Sequence, residues 1–431
     1  MIPSAPDDRF ALDPVLARQL ADQFGTPLYV LDETHFRQRI RVYRDAFQAA
    51  YPTSELSFAS KANSTLAVLA IAHQEGCVID VASEGELEAA LRAGVPASRC
   101  HLHGNNKSVA EIARAVEVGV GQIIVDNMEE IERLSLFRAK LPPLVVRLAP
   151  GVDPKTHAKI STGQADTKFG FGIADGSAEA AVLRMLEFGM APIGFHCHVG
   201  SQLLDPEAQR SGGSLIAEFA RAMHEKHKVE IRYLNVGGGL GVRYRDADEP
   251  MNVADYNRLV VSAILDSLGP NSRPTLGQEP GRSLVAESGV TLYRVGNVKR
   301  LPVRTYVSVD GGLSDNPRPA LYGAEYPVRH IPFEERDAAD LVPVRVAGKH
   351  CETDTLFDVS LPNDVQAGDL LQVLCTGAYN ASMASNYNRY PRPAAVLLTS
   401  GGPEWMQRPE TWDEMFARET MPDHLALGGV G

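Results

Sequence analysis

LSFAS at residues 56–60, CVIDVAS at 77–83, RCHLHG at 99–104 and QIIVDN at 122–127 decide the fold. Each is a short apolar run rich in β-branched residues and closed by polar ones, and the four recur about every 22 residues. Runs of that length and composition read as strands buried on both faces. Between them lie STLAVLAIAHQEG, EGELEAALRAGV and VAEIARAVEVGV. Their apolar residues recur at three- and four-residue spacing, as in a helix that covers one face of a sheet. The glycine closing each of QEG, RAG and EVG stands where helix C-caps stand. Further along, PLVVRLAP (143–150), PIGFHCHVG (192–200), RYLNVGGG (232–239) and PTLGQEPG (274–281) extend the series to eight strands.

Eight strands alternating with helices predict parallel pairing. Residues 31–283 match the ~250 residues of a (β/α)8 TIM-type barrel. An open doubly wound sheet is the competitor. Polar residues close nearly every strand, and a barrel builds its site from all eight strand ends, whereas an open sheet uses one switch point. Beyond residue 283 the texture changes. LVAESGVTLYRVGNVKRL, RTYVSVDGG, LVPVRVAGK, TLFDVSL, GDLLQVLCTGAY and RPAAVLLT are short strands broken by Gly, Pro and Asp. They predict a second, antiparallel β-sandwich or β-barrel domain over 284–421. The strand FGTPLYVLDE, within or just beyond residues 1–30, is expected to join it.

The composition narrows the function. The chain has 431 residues, of which 44% are hydrophobic and 22% charged, as in a soluble globular enzyme. Its 54 acidic and 42 basic residues give a formal charge of −12. That balance argues against polyanion partners: no nucleic acid and no anionic membrane surface are expected. No apolar stretch approaches the ~20 residues of a membrane helix, and the opening MIPSAPDDRF lacks the apolar core of a leader. The five cysteines are spread out without a C-x-x-C pair, which predicts a reduced, cytoplasmic protein.

The chemistry-bearing residues cluster at strand ends. Lys61 follows LSFAS directly and is expected to open a helix, KANSTLAVLAIA. A lysine leaving an apolar strand is partly desolvated, which favours the neutral amine that attacks a carbonyl; a solvated or salt-bridged lysine is the plain alternative. Gly237, Gly238 and Gly239 follow RYLNV, where backbone N–H groups can approach a phosphate, or simply turn tightly. Glu279 and Arg282 lie in EPGRS; the carboxylate suits a cationic ring nitrogen and the arginine an anion, or the two close the rim as a pair. His196 and His198 alternate in FHCHVGSQ, and His101 and His103 do so in HLHG. Two histidines on one face suggest zinc, but no further ligand set is evident, so no metal is predicted; His198 packed flat on a planar ligand serves as well. In the second domain Arg318 and Tyr322 lie in DNPRPALY, Tyr379 in TGAYNASMASNYN, and Cys351 beside Glu352 and Asp354 in KHCETDTLF. Nearby acids favour a protonated thiol, a proton donor, where a buried structural cysteine is the default.

Nine motifs in order, FASKAN, HGNNKS, DTKFGFG, GFHCHVGSQ, NVGGGLG, EPGRSLVAESG, DGGLSDNPRPALY, CETDTL and GAYNASMASNYN, span roughly residues 25 to 415. Together they resemble the barrel-type pyridoxal-phosphate decarboxylases of the alanine racemase-like fold, most closely the diaminopimelate decarboxylases. The resemblance implies that Lys61 holds pyridoxal 5'-phosphate. Ser201, Gly238, Gly239, Gly281 and Arg282 would cradle its phosphate, with Tyr379 reaching it from the other domain. His198 would stack on the ring and Glu279 would partner the pyridine nitrogen. Cys351, from the partner subunit of a homodimer with a shared active site, would reprotonate the carbanion.

The implied reaction converts meso-2,6-diaminopimelate to L-lysine and CO2, the last step of lysine biosynthesis. The far end of that substrate carries a carboxylate and an ammonium. Arg282, Arg318, Tyr322, Glu352 and Tyr379 are expected to bind substrate. A buried arginine facing an absent carboxylate would cost about 3–5 kcal/mol, which would reject ornithine or lysine. The family usually has one residue more where this chain reads CETD, and GKH is an unusual lead-in, so Glu352 matches the pattern better than Asp354. Alternatives are a same-fold decarboxylase of another diamino acid or a carrier-bound amino acid, a racemase, a non-catalytic cofactor-holding homologue, and a zinc-dependent barrel hydrolase.

Overall fold

In the computed structural model, residues 9–152, 167–270, 272–337 and 339–425 are described. The opening MIPSAPDD and Asp166 of DTKFGFG lie outside them. The barrel forms from β2 (Ser54–Ala59), β3 (Val78–Val81), β4 (Cys100–Leu102), β5 (Gln122–Val125), β6 (Leu144–Ala149), β8 (Gly194–Cys197), β9 (Tyr233–Asn235) and β10 (Thr275–Gln278). A two-residue strand β7 (Phe171–Gly172) is appended to β6, and β1 (Leu28–Asp32) belongs elsewhere. The eight strands follow one another around the barrel and are parallel throughout. It closes where Leu276 of β10 pairs with Ser54 of β2. β3, β4, β5 and β8 are buried along their whole length. That is why they read as unbroken apolar runs and not as alternating ones.

The enclosing helices follow from capping and periodicity. Asp32 accepts a hydrogen bond from His35 N at 2.6 Å and starts the helix Glu33–Ala50. That helix buries Phe36, Ile40, Tyr43 and Phe47, one stripe at three- and four-residue spacing. The chain after β2 departs from expectation. Ser60–Ala62 is a 3-10 turn, and the helix begins only at Leu66. Asn63 Oδ1 accepts from Thr65 N at 3.2 Å and from Thr65 Oγ1 at 2.9 Å, a local turn that competes with helix. Lys61 is therefore held on a tight turn, not on a helix.

The remaining strands are β11 (Gly289–Arg300), β12 (Thr305–Val309), β13 (Val328–Ile331), β14 (Leu341–Ala347), β15 (Thr355–Pro362), β16 (Leu370–Val373), β17 (Ala394–Thr399) and β18 (Gly402–Gln407). They form a second sheet in the order β15-β14-β12-β11-β1-β17-β18, with β16 bridging β11 and β13. This sheet is mixed, where the sequence suggested a purely antiparallel one. β1 pairs antiparallel with β11 but parallel with β17, and β12 pairs parallel with β14. Parallel neighbours need long connections, which a reading of consecutive short strands does not reveal. Among the described residues no helix is long and apolar enough to cross a membrane.

Candidate active site

The C-terminal ends of the barrel strands open into a cavity of about 630 Å³. Lys61, His198, Ser201, Gly238, Gly239, Glu279, Gly281, Arg282 and Tyr379 all line it. Its size suits a cofactor together with a small substrate.

Lys61 is pinned through its backbone. Ser382 Oγ donates to the carbonyls of Lys61 and Ala62 at 3.1 and 3.2 Å, and Tyr379 N donates to Ala62 O at 2.7 Å. Asn63 Nδ2 donates to Gly377 O at 3.1 Å. The loop 376–383 after β16 thus clasps the turn after β2 and fixes the root of the lysine. Tyr379 takes φ 62°, a left-handed backbone that a bulky residue adopts only under constraint. Lys61 lines the cavity and is exposed, where the sequence suggested a partly buried side chain.

Glu279 is the most heavily supported group. Asn235 Nδ2 donates to its Oε1 at 2.7 Å, and His196 Nε2 meets its Oε2 at 3.0 Å. His103 Nε2 approaches Oε1 to 3.2 Å and Asp80 Oδ1 to 3.4 Å. Burial by itself would raise the Glu279 carboxyl, but His103 and His196 hold it well below the usual carboxylate range. Asp80 goes the other way: burial pushes it up to about 6 against the pull of His103. The two acids thus divide their roles, Glu279 carrying the charge. Three potential ligand atoms, from His103, His196 and Glu279, lie within 4.8 Å of one another. The sequence did not assemble this set, because the strand order brings one member of each His-x-His pair to Glu279. His196 hydrogen-bonds the carboxylate directly, while His103 stands beside it at ion-pair distance. Desolvation, and next Lys61, lower His198 to about 3, which leaves it a neutral, flat wall of the cavity.

Arg282 and Arg318 converge on phenols. Tyr244 Oη is 2.8 Å from Arg282 Nη1 and 3.3 Å from Arg318 Nη1, and Tyr326 Oη is 2.6 Å from Arg318 Nη1. Arg282 lies 4.8 Å, and Arg318 5.8 Å, from the centre of the Tyr379 ring. Arg282 also reaches Ser201 Oγ at 3.3 Å. Arg318 is buried but is not a cavity-lining residue; it stands behind Tyr379 and Tyr244. Tyr244 and Tyr326 were not among the sequence candidates. The only signal for Tyr244 was its position a few residues after the glycine run.

Cys351, Glu352 and Tyr322 are placed differently. None lines the cavity. Cys351 is exposed, Tyr322 is 69% exposed, and Glu352 accepts a bond from Tyr387 Oη at 2.6 Å on the surface. Asp354, in contrast, is buried and shapes the loop. It accepts from His350 N at 3.1 Å and Leu313 N at 2.9 Å, and pairs with His350 Nδ1 at 2.6 Å. The unusual GKH lead-in thus supplies the partner for the acid that anchors the loop, and the turn offers Cys351 and Glu352 outward.

Comparison with known proteins gives a consistent set of relatives. Residues 35–286 match the family model described as the pyridoxal binding domain of pyridoxal-dependent decarboxylases. The chain is 40% identical over 414 residues to the diaminopimelate decarboxylase of Bacillus subtilis (strain 168), covering 93% of this chain and 92% of that protein. It is 42% identical over 414 residues to the diaminopimelate decarboxylase of Actinosynnema pretiosum subsp. auranticum, covering 94% and 91%. The fold is similar to a crystal structure of diaminopimelate decarboxylase from M. jannaschii in complex with L-lysine. There the TM-score is 0.89 at 33% identity, covering 97% of this chain and 98% of that one.

Proposed function

Because the chain belongs to the pyridoxal-dependent decarboxylases, and among them to the diaminopimelate decarboxylase family, we propose that it converts meso-2,6-diaminopimelate to L-lysine and CO2 with pyridoxal 5'-phosphate. The observation that carries this reading is the donor set of one cavity. An amine, an ionised buried carboxylate, a neutral imidazole wall and an anion-holding group of glycines, serine and arginine face the same space. These residues fit the cofactor: Lys61 for its aldehyde, Glu279 for its ring nitrogen, and Ser201, Gly238, Gly239, Gly281, Arg282 and Tyr379 for its phosphate. The bound cofactor supplies an electron sink for the pair left on the α-carbon as CO2 departs.

The chain's own residues do the rest. Glu279, kept ionised, would hold a proton on the cofactor's ring nitrogen. His198, part of the cavity wall, would shield the ring from water. Neither Arg282 nor Arg318 forms an ion pair among the described residues; phenol oxygens hold both. This leaves cationic charge for anions, the phosphate at one end and the substrate's distal carboxylate at the other. Glu352 and Tyr322 complete the distal site, and the Cys351 thiol delivers the proton to the α-carbon. Because Cys351, Glu352 and Tyr322 face outward from their own chain, they are assigned to the cavity of a second copy, giving a homodimer with shared sites. A thiol that must stay reduced supports a cytoplasmic reaction. The test is to supply the cofactor-loaded protein with meso-diaminopimelate, ornithine and arginine separately and to measure CO2 and product. L-lysine from the first alone is expected. Comparable kcat/KM with ornithine or arginine would refute the assignment.

A further inference from the structure

The support of Glu279 continues below the cavity, into the interior of the barrel. Asn235, the last residue of β9, is fully buried and uses both ends of its amide. Nδ2 donates to Glu279 Oε1 at 2.7 Å and to Tyr233 Oη at 3.1 Å, while Oδ1 accepts from Gly237 N at 2.8 Å. In parallel, Glu279 N donates to Gly237 O at 3.0 Å. Beneath, Tyr233 Oη donates to Glu55 Oε1 at 2.9 Å. The neighbouring strand has been cleared for this column. A Cβ on Gly277 would come within 2.8 Å of Asn235 Nδ2 and collide with the Tyr233 hydroxyl.

We propose that Asn235 is a positioning residue for the cofactor, the joint that holds the Glu279 carboxylate and the Gly237–Gly239 turn in one register. The inference rests on the reading of Glu279 as the ring-nitrogen partner and of the glycine turn as the phosphate site. An amide suits both partners at this reach. It gives a donor to a carboxylate and an acceptor to a backbone N–H from one planar group. Aspartate has the same shape but no donor, and sets a second negative charge against Glu279. Serine can donate and accept, but its side chain is shorter and does not reach both partners from this backbone position. The charged and titratable groups that face this joint are His196 from β8, His101 from β4 and His103 from the loop after it, Asp80 from β3, Tyr233 from β9 itself and Glu55 from β2.

The test is equilibrium titration of cofactor-free N235D and N235S with pyridoxal phosphate, read by absorbance from acidic to alkaline pH beside the wild type. Asn235→Ser should weaken binding about tenfold at every pH. Asn235→Asp should weaken it at least as much at alkaline pH and recover as pH falls, because one protonated acid of the facing pair then restores the missing donor. Losses within about threefold for both variants would overturn the proposal. So would a pH-independent loss in N235D, the mark of a packing residue. If N235D does not fold, N235S decides on its affinity and on pyridoxal, which lacks the phosphate. Loss for pyridoxal phosphate well above that for pyridoxal supports the joint, and equal losses overturn it. Glu279→Gln separates the two levels: if it too leaves cofactor binding intact, the reading of the site fails, and if it alone weakens binding, only the joint fails.

Discussion

The two halves of the site are built to different standards of enclosure. At the barrel end, Glu279 is met by three side chains within 3.2 Å, and the turn bearing Lys61 is clasped by three bonds from the loop 376–383. On the connections of the sheet, Cys351 and Glu352 in a loop and Tyr322 at the end of a short helix are presented on the surface, away from the cavity of their own chain. The first half is preorganised by the fold. The second has a rigid base, Asp354 with His350, under an outward-facing tip. The difference fits the proposal that one chain builds the cofactor site from its own barrel and offers Cys351, Glu352 and Tyr322 to a second copy.

The largest effect should come from the enclosed half. Lys61→Ala is expected to reduce turnover about 10⁴-fold or more and to remove the visible absorbance of the bound cofactor. Retained colour and turnover would break the comparison at its base. Cys351→Ala should cost about 10³-fold in turnover while cofactor affinity stays unchanged. If the tip serves another copy, mixing the two inactive variants, K61A and C351A, should regain activity, because some dimers then carry one intact cavity. No regain on mixing under exchange conditions would return Cys351 to its own chain.

Arg318 stands between the halves, buried yet behind the cavity wall, and its removal should be milder. Arg318→Ala is expected to lower kcat/KM for diaminopimelate about 10²-fold, with cofactor affinity nearly unchanged. An equal fall in cofactor affinity would make it a prop for Tyr244 and Tyr379 instead of a substrate ligand.

The enclosed half was the more legible in sequence. Strand-end residues such as Lys61, Gly238 and Glu279 stand where an apolar run stops, so a one-dimensional pattern finds them. What the pattern could not assemble was the support. His103 and Glu279 are far apart in sequence and meet only because the barrel closes β10 onto β2. Tyr244 and Tyr326 lie in loops whose contacts no periodicity encodes. Lys61 is exposed where the apolar strand suggested burial, because the turn after β2 carries it out into the cavity. In the sheet, β1 inserts between β11 and β17, and that insertion creates a parallel pairing invisible to a reading of consecutive strands.

The smallest effect on activity should come from a site in neither half. Asp369 is fully buried in the sheet region and ties β13 to the start of β16. It meets His330 Nε2 at 2.8 Å and Arg336 Nη2 at 2.5 Å, and accepts from Phe333 N at 2.9 Å. Burial opposes its charge, but Arg336 and His330 prevail and lower the carboxyl to about 2. A folded-state value below the unfolded one, ~3.9, means that the stabilisation is complete above that range. It is lost as pH falls from about 4 through about 2. Asp369→Asn should therefore destabilise the chain by about 2 kcal/mol at neutral pH, through loss of charge-assisted bonds, and flatten the acid limb of its stability curve. Chemical denaturation across acidic pH measures both. Turnover should stay at the wild-type level, because the residue does not line the cavity. A large fall in kcat with stability intact would show that the sheet's interior communicates with the site, and the separation between a self-sufficient cavity and an exported loop would not hold.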